Sequence, residues 1–284
     1  MLSTFLASLV LLAVPVQPTD TVIPVERGSR LEVVNHNGNV DVRVWDRDVV
    51  AIAGDRELGD VASITRAPSV IRVRIAGRQG PPRRARLSVT VPAWMPIRVN
   101  GMNTNITLDG SDADVSVETT NGDIRVTGGN GHVLLRTVQG AIEVRDSRGR
   151  LDVYNVNGGI RVFGATADLT VETVNGSVTL EGIESDHVDA TALNGKVTYD
   201  GTIRDGGRYL LSTHNGSIAM HIPEGANATV NVASMFGRFE SDYPLTLAPG
   251  QSSGRMEFTL GTGSARIELQ TFNGTIRIAR RGAK

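Results

Sequence analysis

The chain has 284 residues, with 29 Lys+Arg against 30 Asp+Glu, no Cys, 32 Gly and 4% aromatics. The balanced charge excludes a strongly basic nucleic-acid binder and an acidic disordered tail. The missing Cys excludes disulfide scaffolds, thiolate zinc sites, Cys nucleophiles and a lipidated N-terminal Cys.

Residues 1–17 read MLSTFLASLVLLAVPVQ. This run falls short of the roughly 20 apolar residues a membrane-spanning helix needs. It fits the hydrophobic region of a secretory signal, although no Lys or Arg precedes it and no clean small-x-small site follows. We expect residues 1–19 to be a signal peptide, with no membrane span after it. The rest of the chain is then extracytoplasmic: periplasmic, at the cell surface or secreted. Residues 20–100 carry strand patterns in RLEVVNH, VDVRVW, SVIRVRIAG and RARLSVTVP. They read as an N-terminal β region or cap, with an exposed loop at Pro81-Pro82-Arg83-Arg84.

From residue 101 to 284 the chain repeats itself. The dipeptide Asn-Gly marks the unit at Asn121, Asn157, Asn175, Asn194, Asn215 and Asn273. Gln139 replaces the Asn once, and degenerate copies centre on Asn103 and Phe236. From Asn103 onward the intervals are 18, 18, 18, 18, 19, 21, 21 and 37 residues, and an earlier copy at Asn37 lies 66 residues upstream. Apolar residues recur six and four positions before the marker (Val115 and Val117) and three and five after it (Ile124 and Val126). That is period-two alternation on both sides of a turn, so each unit holds two short strands. A second turn column, seven after the marker, reads Gly110, Gly128, Asp146, Gly164, Gly182 and Gly201.

Asn-Gly between alternating apolar residues is also a hairpin signal. Three features favour a solenoid coil instead. The residue before the marker is often apolar (Val138, Val156, Val174, Leu193, Phe272), and a corner can turn it inward. Gln139 keeps the carboxamide but suits a left-handed turn poorly, which an amide ladder between stacked rungs explains. Arg125, Glu143 and Arg161 stack with alternating charge when coils lie in register. The pairs Glu118/Arg125 and Arg136/Glu143 would also match across hairpins. The expected fold is an all-β, right-handed β-solenoid of 18–21-residue coils with an irregular N-terminal β cap. Neighbouring coils stabilise one another and the ends need capping. Tyr243 to Gly254 is expected to leave the solenoid as a loop.

The repeated V-x-V-x-T-x-N-G-x-I-x-V unit, the preceding SVTVPAW and the closing GTGSARIELQTFNGTIRI resemble the bacterial "putative adhesin" domain family. The resemblance spans roughly residues 27 to 280. It implies an uncharacterised β-solenoid of the bacterial envelope. Its motifs are structural, so it implies no functional residue. Related domains accompany envelope-stress modules, which keeps a regulatory role open.

Catalytic and metal motifs are incomplete along the chain. Gly250-Gln251-Ser252-Ser253-Gly254 matches G-x-S-x-G, but the motif needs a strand–turn–helix elbow and MEFTL after it is a strand. His36, His132, His187, His214 and His221 show no metal-ligand spacing. Gly128-Gly129-Asn130-Gly131 lacks the Asp of a calcium-binding nonapeptide, since His132 stands there. Asp109, Asp112 and Asp114 lack the EF-hand pattern. Glu118 and Glu172 share a column three rungs apart, about 14 Å, and Asp152 and Asp189 share one two rungs apart, about 10 Å. The column Thr119, Thr137, Asn155, Thr173, Ala192, Thr213 is too interrupted for an ice-binding lattice and faces inward by parity. Trp45 and Trp94 read as core or cap packing ahead of sugar stacking. The expectation is therefore no catalytic residue, no metal and no cofactor. The function expected is non-catalytic: an extended face presented to an envelope protein or glycan, with no nucleic-acid partner. An envelope-stress module and a polysaccharide lyase or hydrolase are the alternatives, and the oligomeric state stays open.

Overall fold

The structure, a computed structural model, describes residues 21–56, 60–77, 85–243 and 254–281. Residues 1–20, where the signal peptide is expected, Pro81–Arg84, and residues 244–253 of the expected Tyr243–Gly254 loop, including Gly250–Ser253, lie outside the described residues. Every regular element among the described residues is a strand. The N-terminal part holds β1 (Thr21–Pro24), β2 (Arg30–Trp45), β3 (Val49–Arg56), β4 (Asp60–Ala67), β5 (Val70–Gly77), β6 (Ala85–Pro92) and β7 (Ile97–Ser111). Strand pairs then follow as coils: β8 (Val115–Asn121) with β9 (Ile124–Gly128), β10 (His132–Gln139) with β11 (Ile142–Arg145), and β12 (Arg148–Asn157) with β13 (Ile160–Phe163). Next come β14 (Thr166–Asn175) with β15 (Val178–Ile183), β16 (His187–Asn194) with β17 (Val197–Gly201), and β18 (Arg208–Asn215) with β19 (Ile218–Ile222). The C-terminal part holds β20 (Ala228–Ser234), β21 (Arg238–Ser241), β22 (Arg255–Leu260), β23 (Ala265–Asn273) and β24 (Thr275–Arg280).

The coils stack in parallel with the register that the repeat spacing dictates. Val115 lies beside Val133, Val133 beside Leu151, and Leu151 beside Leu169. The second strands follow suit, Ile124 beside Ile142 and Ile142 beside Ile160. The first strands form sheet A and the second strands form sheet B. Their inward residues fill one apolar core of Val, Ile and Leu. The hairpin alternative is excluded, because β8 pairs with β7 and β10 of neighbouring coils rather than with β9.

Coil order departs from chain order at both ends. β23 and β24, the last strands in sequence, stack directly on β18 and β19, placing Asn273 beside Asn215. β20 and β21 stack on the outer side of β23 and β24. The 37-residue interval is therefore a return of the chain into the slot beside β18. The same device occurs at the other end. β2 lies between β7 on one side and β5 with β6 on the other, placing Asn37 beside Asn103. The repeat register thus reaches back to Asn37, and β7 runs through position 100. Counting β5 with β6, then β2, then β7, the stack has about eleven rungs, roughly 50 Å at about 4.8 Å each.

Antiparallel strands close both ends. β4 pairs with β5, β3 with β6 and β1 with β3, and β22 pairs with β20. A parallel coil would otherwise present a bare row of amides and carbonyls, an open template for aggregation.

Polar ladders tie the rungs together. Along the corner, Asn103 donates to Asn37, Asn121 to Asn103, Asn175 to Asn157, Asn194 to Asn175 and Asn215 to Asn194, at 2.8–3.1 Å. This is the expected amide ladder, with two breaks among the described residues: no ladder bond from Gln139 joins Asn121 to Asn157, and none joins Asn215 to Asn273. The carboxamide argument for Gln139 therefore fails, while the ladder between the Asn residues on either side of it stands. Inside, the residue two before the marker is buried, as parity required. Thr137, Asn155, Thr173 and Thr213 donate to the corner glycine carbonyls of the adjacent rung, Gly122, Gly140, Gly158 and Gly195. The interior would otherwise leave those carbonyls without a side-chain donor. Asp146, in the second turn column, is the one non-glycine residue with positive φ (54°) among the described residues, where glycine stands in neighbouring coils. Where the coils lengthen to 19 and 21 residues, Tyr199 and Tyr209 fill the core in a T-shaped pair, ring centroids 5.7 Å apart. Their hydroxyls donate to Thr202 O and Ser185 O at 2.7 Å.

Candidate functional site

The outer face of sheet A carries four columns: one, three, five and seven residues before the marker. The column nearest the corner corrects the inward expectation. Val138, Val156, Val174, Leu193 and Phe272 are 38–46% exposed, Met102 and Met235 are 50–67% exposed, Thr120 and His214 take the other two rungs, and Phe236, at the marker of its own copy, adds a side chain 68% exposed. The reason is strand parity. The first strand of each coil continues to the Asn itself, so inward–outward alternation persists to the marker and the preceding residue points out. The corner assignment stands, but the argument from inward Val side chains fails.

These side chains form an apolar ridge that climbs the rod. At the C-terminal end it becomes aromatic: His214 stacks on Phe272 at 4.6 Å with nearly parallel planes, and Phe236 meets Phe272 edge-on at 5.2 Å. Beside the ridge runs the column Glu118, Arg136, Tyr154, Glu172, Thr191, Ser212. Between the two columns lies an open groove. Its larger stretch, about 930 Å³, extends from Tyr154 and Glu172 to Phe272 and Arg255. A smaller stretch of about 410 Å³ continues past Glu118, Arg136 and Val138 towards Asn100. One wall is apolar and the other is polar. Arg136 sits 5.1 Å over the Tyr154 ring and 3.8 Å from Glu118.

The acids singled out from sequence fall where the register puts them, and they do not converge. Glu118, Arg136, Tyr154 and Glu172 are successive neighbours in one column, so the two Glu are three rungs apart. That is about 14 Å, beyond the roughly 5–9.5 Å of paired glycosidase carboxylates. Asp152 and Asp189 flank Thr170 in the next column. Asp152 is buried and holds His132 Nε2 at 2.6 Å and Arg150 Nε at 2.9 Å. Burial alone would raise its carboxyl, but the hydrogen bonds from Arg150 and His132 outweigh burial and hold it below the usual range. Asp189 has only Thr191 beside it, and burial pushes its carboxyl up. Two carboxyls of one column are thus shifted in opposite directions.

Asp112, Asp114 and the two tryptophans have local partners. Asp112 accepts from Asn130, and Asp114 accepts from the His132 amide at 2.9 Å, so both brace the next rung. Trp94 donates to Asp48 and Trp45 to the Val49 carbonyl, with Arg27 and Arg47 over their rings. Both indoles belong to the N-terminal cap. Among the described residues no three His, Asp or Glu side chains are grouped to hold a metal ion, and no helix is long and apolar enough to cross a membrane. The ridge is the feature that sequence reasoning missed, and counting parity up to the marker would have found it.

No curated protein matches the chain. Among solved structures, the chain is similar to one described as a "putative cell adhesion protein" from Clostridium sporogenes ATCC 15579. The identity is 10%, the TM-score is 0.30, and the alignment covers 93% of this chain and 99% of that one. The family model described as Toastrack DUF4097 matches residues 163–279, from the end of β13 into β24. Residues 163–279 are thus similar to the Toastrack DUF4097 domain, within an all-β stack of register-locked coils.

Proposed function

We propose that the protein is a non-catalytic, extracytoplasmic β-solenoid that presents the outer face of sheet A to a partner in the cell envelope. The observation that carries this reading is the ridge. Eight large apolar side chains stand exposed along one corner of the rod, while the chain already has a well-filled core for such residues. A row of this kind beside a polar groove marks an interaction surface. The ridge runs over several rungs, so affinity accumulates along the length rather than in one pocket. The distance between Glu118 and Glu172, and the engagement of Asp152 by Arg150 and His132, argue against acid/base chemistry on this face.

The test is co-sedimentation of the purified protein with envelope polysaccharide and with envelope protein fractions of its source, with the supernatant assayed for released fragments. Binding that is lost in a Val174→Asp/Leu193→Asp double variant of unchanged circular dichroism supports the reading. Released fragments overturn its non-catalytic part. Binding that survives the double variant overturns the assignment of the face.

A further inference from the structure

We infer that the partner of this face is a second copy of the same chain, packed antiparallel across a two-fold axis at the Tyr154–Val156 rung. The inference rests on reading the outer face of sheet A as an interaction surface and names its occupant. It comes from the order of side chains along the columns. Arg136 and Glu172 lie one rung below and one rung above Tyr154. A two-fold axis lying in the face, perpendicular to the rod at that rung, keeps each column opposite itself and reverses its order. Arg136 of one copy then faces Glu172 of the other, twice per dimer. In the ridge column, Val138 faces Val174 and Val156 faces its own counterpart. In the column seven before the marker, His132 faces Asp168 and Asp114 faces His187.

The same axis also brings like charges together, and each chain neutralises them internally. Arg150 and Asp152 both meet their own copies there. In each chain Arg150 is bonded to Asp152 at 2.9 Å, and Asp152 is buried beneath Arg150 and His132. What reaches the axis is therefore a neutralised pair. Isologous contacts require this kind of self-complementarity, and opposed charges set register in such interfaces.

The dimensions agree. Six residue steps across the strands span about 20 Å, and six rungs from Met102 to His214 span about 29 Å. The face is thus about 600 Å² per copy, or about 1,200 Å² in total, which reaches the range of specific interfaces. Two such faces stack about 10 Å apart with strands aligned, as in a β-sandwich.

Sedimentation velocity of the purified protein at concentrations up to about 100 μM tests the inference. A concentration-dependent dimer is expected. Arg136→Glu alone and Glu172→Arg alone each place like charges opposite one another, and each should weaken dimerisation at least tenfold. An equimolar mixture of the two single variants should recover it as a mixed dimer, seen by native mass spectrometry. In that mixed dimer the two substituted side chains face each other with opposite charge, and the unsubstituted Arg136 and Glu172 form the second pair. A monomeric wild type, single variants that dimerise like wild type, or a mixture that stays monomeric would each overturn the inference. Envelope binding measured in parallel keeps the two readings apart. A monomer that still binds through this face sinks the second copy and leaves the presenting face standing.

Discussion

Replacing the corner glycine Gly158 with Ala tests whether close rung packing, rather than turn geometry alone, fixes glycine at these corners. Gly158 has φ 152°, and a Cβ built on it lies 2.0 Å from the Gly140 carbonyl oxygen and 2.8 Å from its carbon. Tolerable contact needs at least about 3 Å, so the two rungs must part by about 1 Å. Three bonds cross that gap: Gly140 N to Asn157 O at 3.2 Å, Ile142 N to Gly159 O at 3.0 Å and Asn155 Nδ2 to Gly140 O at 2.9 Å. Losing two or three of them at about 1 kcal/mol each, with about 1–2 kcal/mol for the backbone conformation, gives about 3–5 kcal/mol. Gly225 is the control. It also has positive φ, 77°, but a Cβ there meets nothing within 4 Å. Gly225→Ala should cost only the backbone part, about 1–2 kcal/mol. Urea unfolding followed by circular dichroism measures both. Equal losses for the two variants would refute the packing argument.

Thr213→Val removes the hydroxyl 3.0 Å from Gly195 O without changing volume much, and should cost about 1–2 kcal/mol in the same assay. Asp152→Asn and Asp189→Asn should act with opposite signs. The folded-state carboxyl of Asp152 is lowered, so its stabilisation is present above the unfolded value of about 3.9 and fades as pH falls through the folded value. Asp152→Asn therefore destabilises at pH 7 and matters little in acid. The Asp189 carboxyl is raised, so ionisation costs stability above about pH 3.9; Asp189→Asn stabilises at pH 7, and the gain vanishes below that pH. Unfolding midpoints from pH 3 to pH 7 check both signs. Ending the chain after Gly263 removes β23 and β24, the strands that join β20 and β21 to β18 and β19. Hydrogen exchange should then show lost protection throughout β18–β22. A coil order that followed the chain would leave β20 and β21 protected.

Much of this architecture is legible in the residues. The 18-residue interval fixes which side chains stack, because parallel coils of equal length bring each column into line. Inward Val115, Val117, Ile124 and Val126, the buried Thr column and the turn at Asp146 all follow from period-two alternation and the steric demand for left-handed backbone. The amide ladder was readable for the same reason, and its breaks at Gln139 and between Asn215 and Asn273 were not, since a carboxamide's reach depends on the side-chain geometry of the stacked corners. The ridge lay within reach of parity but depended on where the first strand stops. A strand ending before Val156 would have freed that side chain to turn inward; one running through Asn157 holds it out.

Coil order was beyond the sequence. The pairing of β23 with β18, and of β2 with β7, joins segments whose separations of 58 and 66 residues carry no periodic signal. Within the repeat, register is a local consequence of chain length per turn. At the ends it is set by which exposed edge buries the most apolar surface and pairs the most backbone groups, a choice among non-local partners that only the folded molecule makes. The antiparallel strands that close those edges, and the groove with its two-fold charge pattern, exist because the columns are assembled side by side in space.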